Sequence, residues 1–130
     1  MTEQLRLTVI LPASARQMYE AWLDSASHSQ FTGGAAEIDP TVGGAFTAWD
    51  GYISGQNVEL EPCSRILQSW RTTDFPEDTP DSLLEIRLEE KGQETQLVLI
   101  HTQIPEGQAD QYAEGWENYY FLPMKEFFSK

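Results

Sequence analysis

Residues 106–128, EGQADQYAEGWENYYFLPMKEFF, contain a long helical pattern that decides how the chain can fold. Apolar and aromatic residues recur at steps of three and four, which places them on one helix face. We expect Tyr112, Trp116, Tyr119 and Tyr120 to form a stripe that faces a sheet. Pro123 lies inside the pattern and should kink or divide the helix, because it lacks a backbone N–H.

A series of short strands precedes this helix. Apolar residues alternate with polar ones in Leu5–Leu11, as in a half-buried strand. Ser14 and Gln17 have the spacing of a capping box, which predicts a first helix that buries Met18 and Trp22. A second helical piece is expected at 24–30. Further strands are expected at 35–38, 46–49, 52–60, 65–72, 84–89 and 95–103.

Local signals connect these strands. Asp50-Gly51 indicates a hairpin, and Gly55 indicates a bulge or bend within the following strand. The acidic stretch 74–81 indicates a loop, and 95–103 is apolar on both faces, as expected of a central strand. The element order predicts an α+β fold in which a curved antiparallel sheet is closed by the C-terminal helix. We expect residues 1–130 to form one domain.

Composition narrows the classes of partner. The 130 residues carry a formal charge of −13, which disfavours nucleic acid and anionic lipid and makes a basic partner easier to accommodate. The plainer interpretation of that charge is solubility.

Cys63 is the only cysteine, and the chain shows neither a signal peptide nor an apolar stretch long enough to insert into a membrane. We therefore expect a cytoplasmic protein.

The sequence offers little for catalysis or metal binding. His28 and His101 are far apart in the chain, and no histidine lies near Cys63 in sequence. Metal-ligand spacings are absent, and the acidic run Glu77–Asp81 lacks the glycine and glutamate of a calcium loop. We predict no catalytic residues, no metal site and no cofactor.

An ordered set of motifs resembles a known family. The blocks are Phe31-Thr32, residues 43–46 (GGAF), 50–55 (DGYISG) through Glu61-Pro62, Trp70, 101–105 (HTQIP) and 114–121 (EGWENYYF). Together they are similar to the activator of heat-shock protein 90 ATPase homologues, in the START-like (SRPBCC) superfamily. Residues 115–121 and 125–128 look especially like the C-terminal domain of the eukaryotic activator.

The resemblance implies a helix-grip fold, also called birch-pollen-allergen-like, with about six or seven antiparallel strands around the long C-terminal helix. It also implies two different functions. In the eukaryotic activator this domain helps to engage the chaperone and stimulate its ATPase, whereas stand-alone bacterial relatives are associated with a hydrophobic ligand. We expect no N-terminal chaperone-binding domain, which weakens the expectation of full ATPase activation.

Three hypotheses follow. The first is a non-enzymatic protein that binds a small hydrophobic molecule between the sheet and the terminal helix; the alternative for its aromatic residues is that they simply fill the core. The second is a co-chaperone-like protein that binds a heat-shock protein 90 chaperone. The third is a superfamily cyclase or hydrolase with His101 or a buried acid as the acid–base group. The candidate cavity residues are Trp22, Phe46, Trp70, His101, Tyr112, Trp116 and Tyr120.

Overall fold

The computed structural model describes residues 2–129. Its strands are β1 (Thr2–Leu11), β2 (Glu37–Ile38), β3 (Ala45–Ala48), β4 (Ile53–Glu61), β5 (Arg65–Thr72), β6 (Ser82–Lys91) and β7 (Glu94–Pro105). Its helices are α1 (Ala15–Leu23), α2 (Ser25–Thr32), α3 (Ala109–Trp116) and α4 (Leu122–Phe128). A 3₁₀ turn (Trp49–Gly51) joins β3 to β4, and a π segment (Glu117–Phe121) joins α3 to α4.

The seven strands form one antiparallel, curved sheet in the order β1-β7-β6-β5-β4-β3-β2. From β2 to β7, strands that follow each other in the chain are paired. The first strand, β1, pairs with the other edge of the last strand, β7. Strand β7 is therefore an interior strand, paired with β1 on one edge and with β6 on the other. The α+β architecture and the central position of this strand are confirmed.

One face of the sheet is buried against the helices. Along β5 the side chains alternate, so that Ile66, Gln68, Trp70 and Thr72 are buried and their neighbours are only partly covered. The terminal helix formed by α3, the π segment and α4 lies over this face and buries Trp116, among others. The core therefore lies between the concave sheet and the terminal helix.

Helices α1 and α2 close one side of that core. The capping box at the start of α1 is confirmed, because the Ser14 hydroxyl accepts from Gln17 N (3.1 Å) and the Gln17 side chain accepts from Ser14 N (2.9 Å). Asp24 caps α2 by accepting from Ser27 N (2.9 Å). The two caps set a sharp corner that brings the buried His28 and Phe31 against the terminal helix.

The bulge expected at Gly55 lies elsewhere. Gly55 stays in register between Phe46 and Trp70, and the β4–β5 register shifts only between Asn57 and Glu59. A Cβ on Gly55 would lie 2.8 Å from the Phe46 ring and closer still to the backbone of β5. Glycine is needed here because a side chain would clash with the Ser69 carbonyl of β5 and with the Phe46 ring, and no extra residue is involved.

Two expectations for the terminal helix were wrong in detail. Its hydrogen bonding changes one turn before Pro123, in the π segment, and Pro123 lies in the first turn of α4. The widened turn accommodates a residue that has no N–H and whose ring would clash with the carbonyl four residues earlier. Tyr119 does not face the sheet: its side chain is 60% exposed, because the stripe of helical positions turns away through the π segment.

Candidate functional site

A pocket of about 410 Å³ lies between the terminal helix and the sheet beside the β3–β4 turn. Seven of its ten lining residues are aromatic. The lining consists of Trp49, Tyr52, Ile53, Trp70, Gln111, Tyr112, Gly115, Trp116, Tyr119 and Tyr120. The volume is in the range of small-molecule sites, which are mostly apolar with a few polar groups. We call Trp49, Tyr52, Gln111 and Tyr119 the mouth of the pocket, because these side chains remain partly or fully exposed.

Four of the seven residues proposed from the sequence line this pocket: Trp70, Tyr112, Trp116 and Tyr120. The other three are buried but lie outside the lining. Trp22 stacks behind Trp116, with ring centroids 6.3 Å apart. Phe46 covers Gly55, and His101 lies behind Trp70 (centroids 4.6 Å apart).

His101 is a hydrogen-bonded anchor for the pocket floor. Its Nδ1 accepts from the indole N–H of Trp116 (3.2 Å), so the ring proton must be on Nε2. Nε2 then donates to the Ser82 hydroxyl (2.8 Å), which donates to the Trp70 carbonyl (2.6 Å). Burial lowers the pKa of His101 to about 3. The neutral ring therefore has both nitrogens engaged by the protein, and it fixes Trp116 in place.

A second buried histidine fixes Tyr120. His28 Nδ1 donates to the Trp22 carbonyl (2.9 Å), which leaves Nε2 to accept from the Tyr120 hydroxyl (2.9 Å). Burial lowers the pKa of His28 to about 4, and burial also raises the pKa of Tyr120. Both groups are thus neutral at pH 7, and their hydrogen bond holds the Tyr120 ring against the pocket.

The mouth carries a small polar cluster. The Tyr52 hydroxyl donates to Oδ2 of Asp74 (2.6 Å), and Gln111 Nε2 donates to the same oxygen (2.9 Å). The hydrogen bond from Tyr52 holds the pKa of Asp74 below its usual range. Beside it, the Tyr112 hydroxyl donates to Gln108 Oε1 (2.6 Å) and accepts from Thr72 (2.7 Å). These bonds tie the loop after β5 to the first turns of α3.

Trp49 reaches the mouth through a strained turn. Its φ is 52°, in the left-handed region that bulky residues rarely occupy. Two hydrogen bonds between Asp50 and Ala35 hold the turn. Asp50 N donates to the Ala35 carbonyl (3.0 Å), and Ala35 N donates to Asp50 Oδ1 (3.1 Å). The ring of Trp49 meets Tyr119 edge to face, with centroids 5.9 Å apart. Strain of this kind is often found where function requires a fixed geometry.

Gly115 leaves space in the helix. A Cβ at this position would meet no atom within 4 Å, so close packing does not require glycine here. Glycine within a helix costs about 0.5–1 kcal/mol relative to alanine. The residue lines the pocket, and its missing side chain adds to the pocket volume.

The sequence interpretation missed Trp49, Tyr52, Ile53, Gln111, Gly115 and Tyr119 as pocket residues. Two signals were available. Asp50-Gly51 marked a tight turn that presents the aromatic residues on either side of it, and Gly115 was an unexplained glycine in a helical pattern. Neither signal indicates which side of the helix is left open, since that depends on how α1 and α2 pack.

Other kinds of site find no support in residues 2–129. No group of three histidine, cysteine or acidic side chains is placed to hold a metal ion there. Between those same residues, no helix is both long enough and apolar enough to cross a membrane.

Comparison with known proteins agrees with the geometry. The family model described as "Activator of Hsp90 ATPase homolog 1-like protein" matches residues 12–129. The chain belongs to this family. Its fold is the helix-grip fold of the START-like superfamily. The family motif at Gly115-Trp116 lies in the pocket lining.

The human activator of 90 kDa heat shock protein ATPase homolog 1 is 28% identical over 115 residues, which are 88% of this chain and 34% of that protein. The chain thus spans about a third of the length of the curated relatives it matches. An HSP90 activator from Plasmodium falciparum has the same fold (TM-score 0.81, 24% identity, 92% of this chain and 90% of that one). CalU16 from Micromonospora echinospora is also similar (TM-score 0.82, 26% identity, 98% of this chain and 77% of that one).

Proposed function

We propose that the protein is a non-enzymatic binding module that holds a small, largely apolar ligand in the aromatic pocket under its terminal helix. The observation that supports this most is the lining itself, which is aromatic at seven of ten positions and encloses about 410 Å³. Flat rings give a ligand a large contact area at a small cost in side-chain entropy. The polar groups that orient a ligand are concentrated at the mouth, as in many small-molecule sites.

The pocket is also preorganised. His28 and His101 hold Tyr120 and Trp116 by hydrogen bonds, so these two lining rings need no reordering when a ligand enters. Preorganisation saves free energy that would otherwise oppose binding. The same hydrogen bonds occupy both nitrogens of His101, which leaves no free lone pair or proton for general acid–base chemistry. We therefore favour binding over a cyclase or hydrolase reaction.

A titration with 1-aminoanthracene, a planar apolar dye, tests the proposal. The four tryptophans give four indole N–H signals in a ¹H–¹⁵N NMR spectrum. We expect saturable shifts for Trp49, Trp70 and Trp116, which line the pocket. Trp22 lies outside the lining and serves as an internal control. Single Trp→Phe variants assign the signals. Absence of a saturable shift, or a largest shift at Trp22, would contradict ligand binding in this pocket.

A second candidate function rests on the relatives. We infer that the chain could act as a co-chaperone-like protein, because the human relative is named as an activator of a 90 kDa heat shock protein ATPase. The formal charge of −13 suits a basic docking surface on such a chaperone. The ATPase rate of an Hsp90 chaperone, measured with and without the protein at low and high salt, tests this. Stimulation that weakens with salt supports it, and no binding or stimulation at low salt removes it.

A further inference from the structure

The pocket combines aromatic rings with a nearby carboxylate and has no basic side chain in its lining. None of the ten lining residues is lysine, arginine or histidine. Tyr52 and Gln111, both at the mouth, donate to the same oxygen of Asp74. Asp74 itself is outside the lining, but it binds two residues that belong to it. A fixed negative charge therefore lies directly beside the mouth.

That charge is not neutralised by the protein. In the part of the chain that the structure describes, Asp74 has no ion pair within 4.0 Å. Arg71 is the nearest basic residue in sequence, and it binds Asp81 (2.9 Å) and the carbonyl groups of Thr79 and Pro76 instead. The chain as a whole carries −13. The field at the mouth therefore attracts cations and repels anions.

The aromatic rings at the mouth also favour a cation. The face of a tryptophan or tyrosine ring attracts cations, most strongly in quaternary ammonium sites built from several rings. Trp49 and Tyr119 meet edge to face at an interplanar angle of 74°, and both rings line the pocket together with Tyr52. Trp49 is held there at φ 52°, so the turn fixes this ring in place despite the strain.

We propose that the pocket selects a small organic cation. An amine or quaternary ammonium group would lie at the mouth beside Asp74 and the Tyr52 ring, and an aromatic body would lie against Trp70 and Trp116. The proposal rests on the proposed function, since it takes binding in this pocket as given. A neutral ligand would gain nothing from the negative charge of the Asp74 carboxylate. An anion would meet like charge.

Three probes of the same shape separate these cases. Phenyltrimethylammonium and tert-butylbenzene differ only in replacing nitrogen by carbon, and benzenesulfonate carries a negative tetrahedral group at the same position of the ring. Each is titrated into the full chain at low salt while the indole signals of Trp49 and Trp116 are followed. We expect the cation to bind about two- to fivefold more tightly than the neutral probe, the range that exposed cation–π contacts provide. The anion should bind most weakly.

Two variants test whether Asp74 supplies the negative charge that favours the cation. Asp74→Asn keeps an oxygen that can accept from Tyr52 and Gln111, and it should weaken binding of the cation about two- to fivefold while leaving tert-butylbenzene unchanged. Asp78→Asn removes an equal charge from an exposed residue of the same loop and serves as the matched control. It should change cation affinity less than twofold.

The outcomes distinguish the two proposals. If tert-butylbenzene binds as tightly as the cation, or if Asp74→Asn weakens both probes equally, cation selection is overturned while pocket binding stands. If none of the probes, nor 1-aminoanthracene, shifts the signals of Trp49 and Trp116, both proposals fail. Preference for the cation that is lost in Asp74→Asn and kept in Asp78→Asn supports cation selection.

Discussion

The two flanks of the terminal helix differ in how they are filled. On the flank toward α1 and α2, Tyr120 packs against Trp22, His28 and Phe31, and its hydroxyl is hydrogen-bonded. On the flank toward the β3–β4 turn, Gly115 and Tyr119 border the pocket, and Tyr119 remains 60% exposed. The ring of Tyr120 also lines the pocket, so this part of the helix borders a closed core on one side and an open site on the other.

The difference between the flanks indicates that stability depends mainly on the closed flank and ligand binding on the open one. The closed flank consists of buried rings whose polar atoms have partners, and among residues 2–129 no buried side-chain nitrogen or oxygen lacks one. The open flank contains a strained tryptophan and a glycine that packing does not require. Substitutions on the closed flank should therefore change stability, and those on the open flank should change ligand binding.

The largest expected effect comes from the closed flank. Trp22→Ala should lower the free energy of unfolding by about 3–5 kcal/mol, because it removes a buried ring and leaves a cavity. On the open flank, Trp49→Gly should change it by no more than about 1 kcal/mol, since relief of the left-handed strain offsets the lost packing. Urea unfolding measures both. Equal costs for the two variants would contradict the division of roles.

The pH dependence of stability comes next. His28 and His101 have folded pKa values of about 4 and about 3, below the ordinary value of about 6.5 in an unfolded chain. Between pH 6 and about 4.5 the unfolded chain therefore binds about two more protons. Stability should be full above about pH 7.5 and should fall as the pH decreases, by about 2 kcal/mol per pH unit near pH 6 and roughly 2.7 kcal/mol per unit near pH 5, until the folded pKa values are reached.

Urea unfolding at several pH values measures this slope. The variant His28→Gln should have about half of it, because one titrating group is gone. A flat profile between pH 6 and 5 would show that the two rings are not buried in the neutral form.

Removal of the Tyr120 hydroxyl, on the closed flank, should have a smaller effect on stability. Tyr120→Phe leaves Nε2 of His28 buried without its donor, which should cost about 1–3 kcal/mol in urea unfolding. Tyr119→Phe removes the neighbouring exposed hydroxyl and is the matched control, with an expected change within about 0.5 kcal/mol. If the two variants lost the same stability, Tyr120 would not be held as described.

The smallest effect is a gain on the open flank. Gly115→Ala should raise the free energy of unfolding by about 0.4–1 kcal/mol, because the new Cβ meets no atom and the unfolded chain loses flexibility. Thermal unfolding measures it against the unsubstituted protein. A loss of stability would mean that glycine is needed for packing, and the account of this position would be wrong.

Much of the fold was predictable from local patterns. The capping box at Ser14, the alternation in β1 and the helical stripe through Trp116 each follow from short-range rules, and together they determine the order of elements. The bulge was misplaced because Gly55 makes room for the backbone of β5 at Ser69 and for the ring of Phe46, contacts between strands that the sequence does not reveal. The orientation of Tyr119 depended on the π segment, which compensates for Pro123 one turn away.

The site was only half predictable. Large aromatic residues on inward faces were identified correctly as buried, but burial alone does not separate a ring that fills the core, such as Trp22, from one that lines a pocket, such as Trp70. Whether a buried ring fills the core or lines a pocket depends on which elements pack opposite it. Helices α1 and α2 fill one flank, and the strained turn at Trp49 leaves the other open.

The most direct test of ligand binding uses Gly115→Leu, which places a side chain in the pocket from a position that has room for it. Asn118→Leu is the control: it adds a leucine at an exposed position of the same helix, outside the lining. We predict that Gly115→Leu folds normally and weakens 1-aminoanthracene at least about tenfold, whereas Asn118→Leu binds it as the unsubstituted protein does. Unchanged affinity in Gly115→Leu would contradict the proposal that this pocket is the binding site.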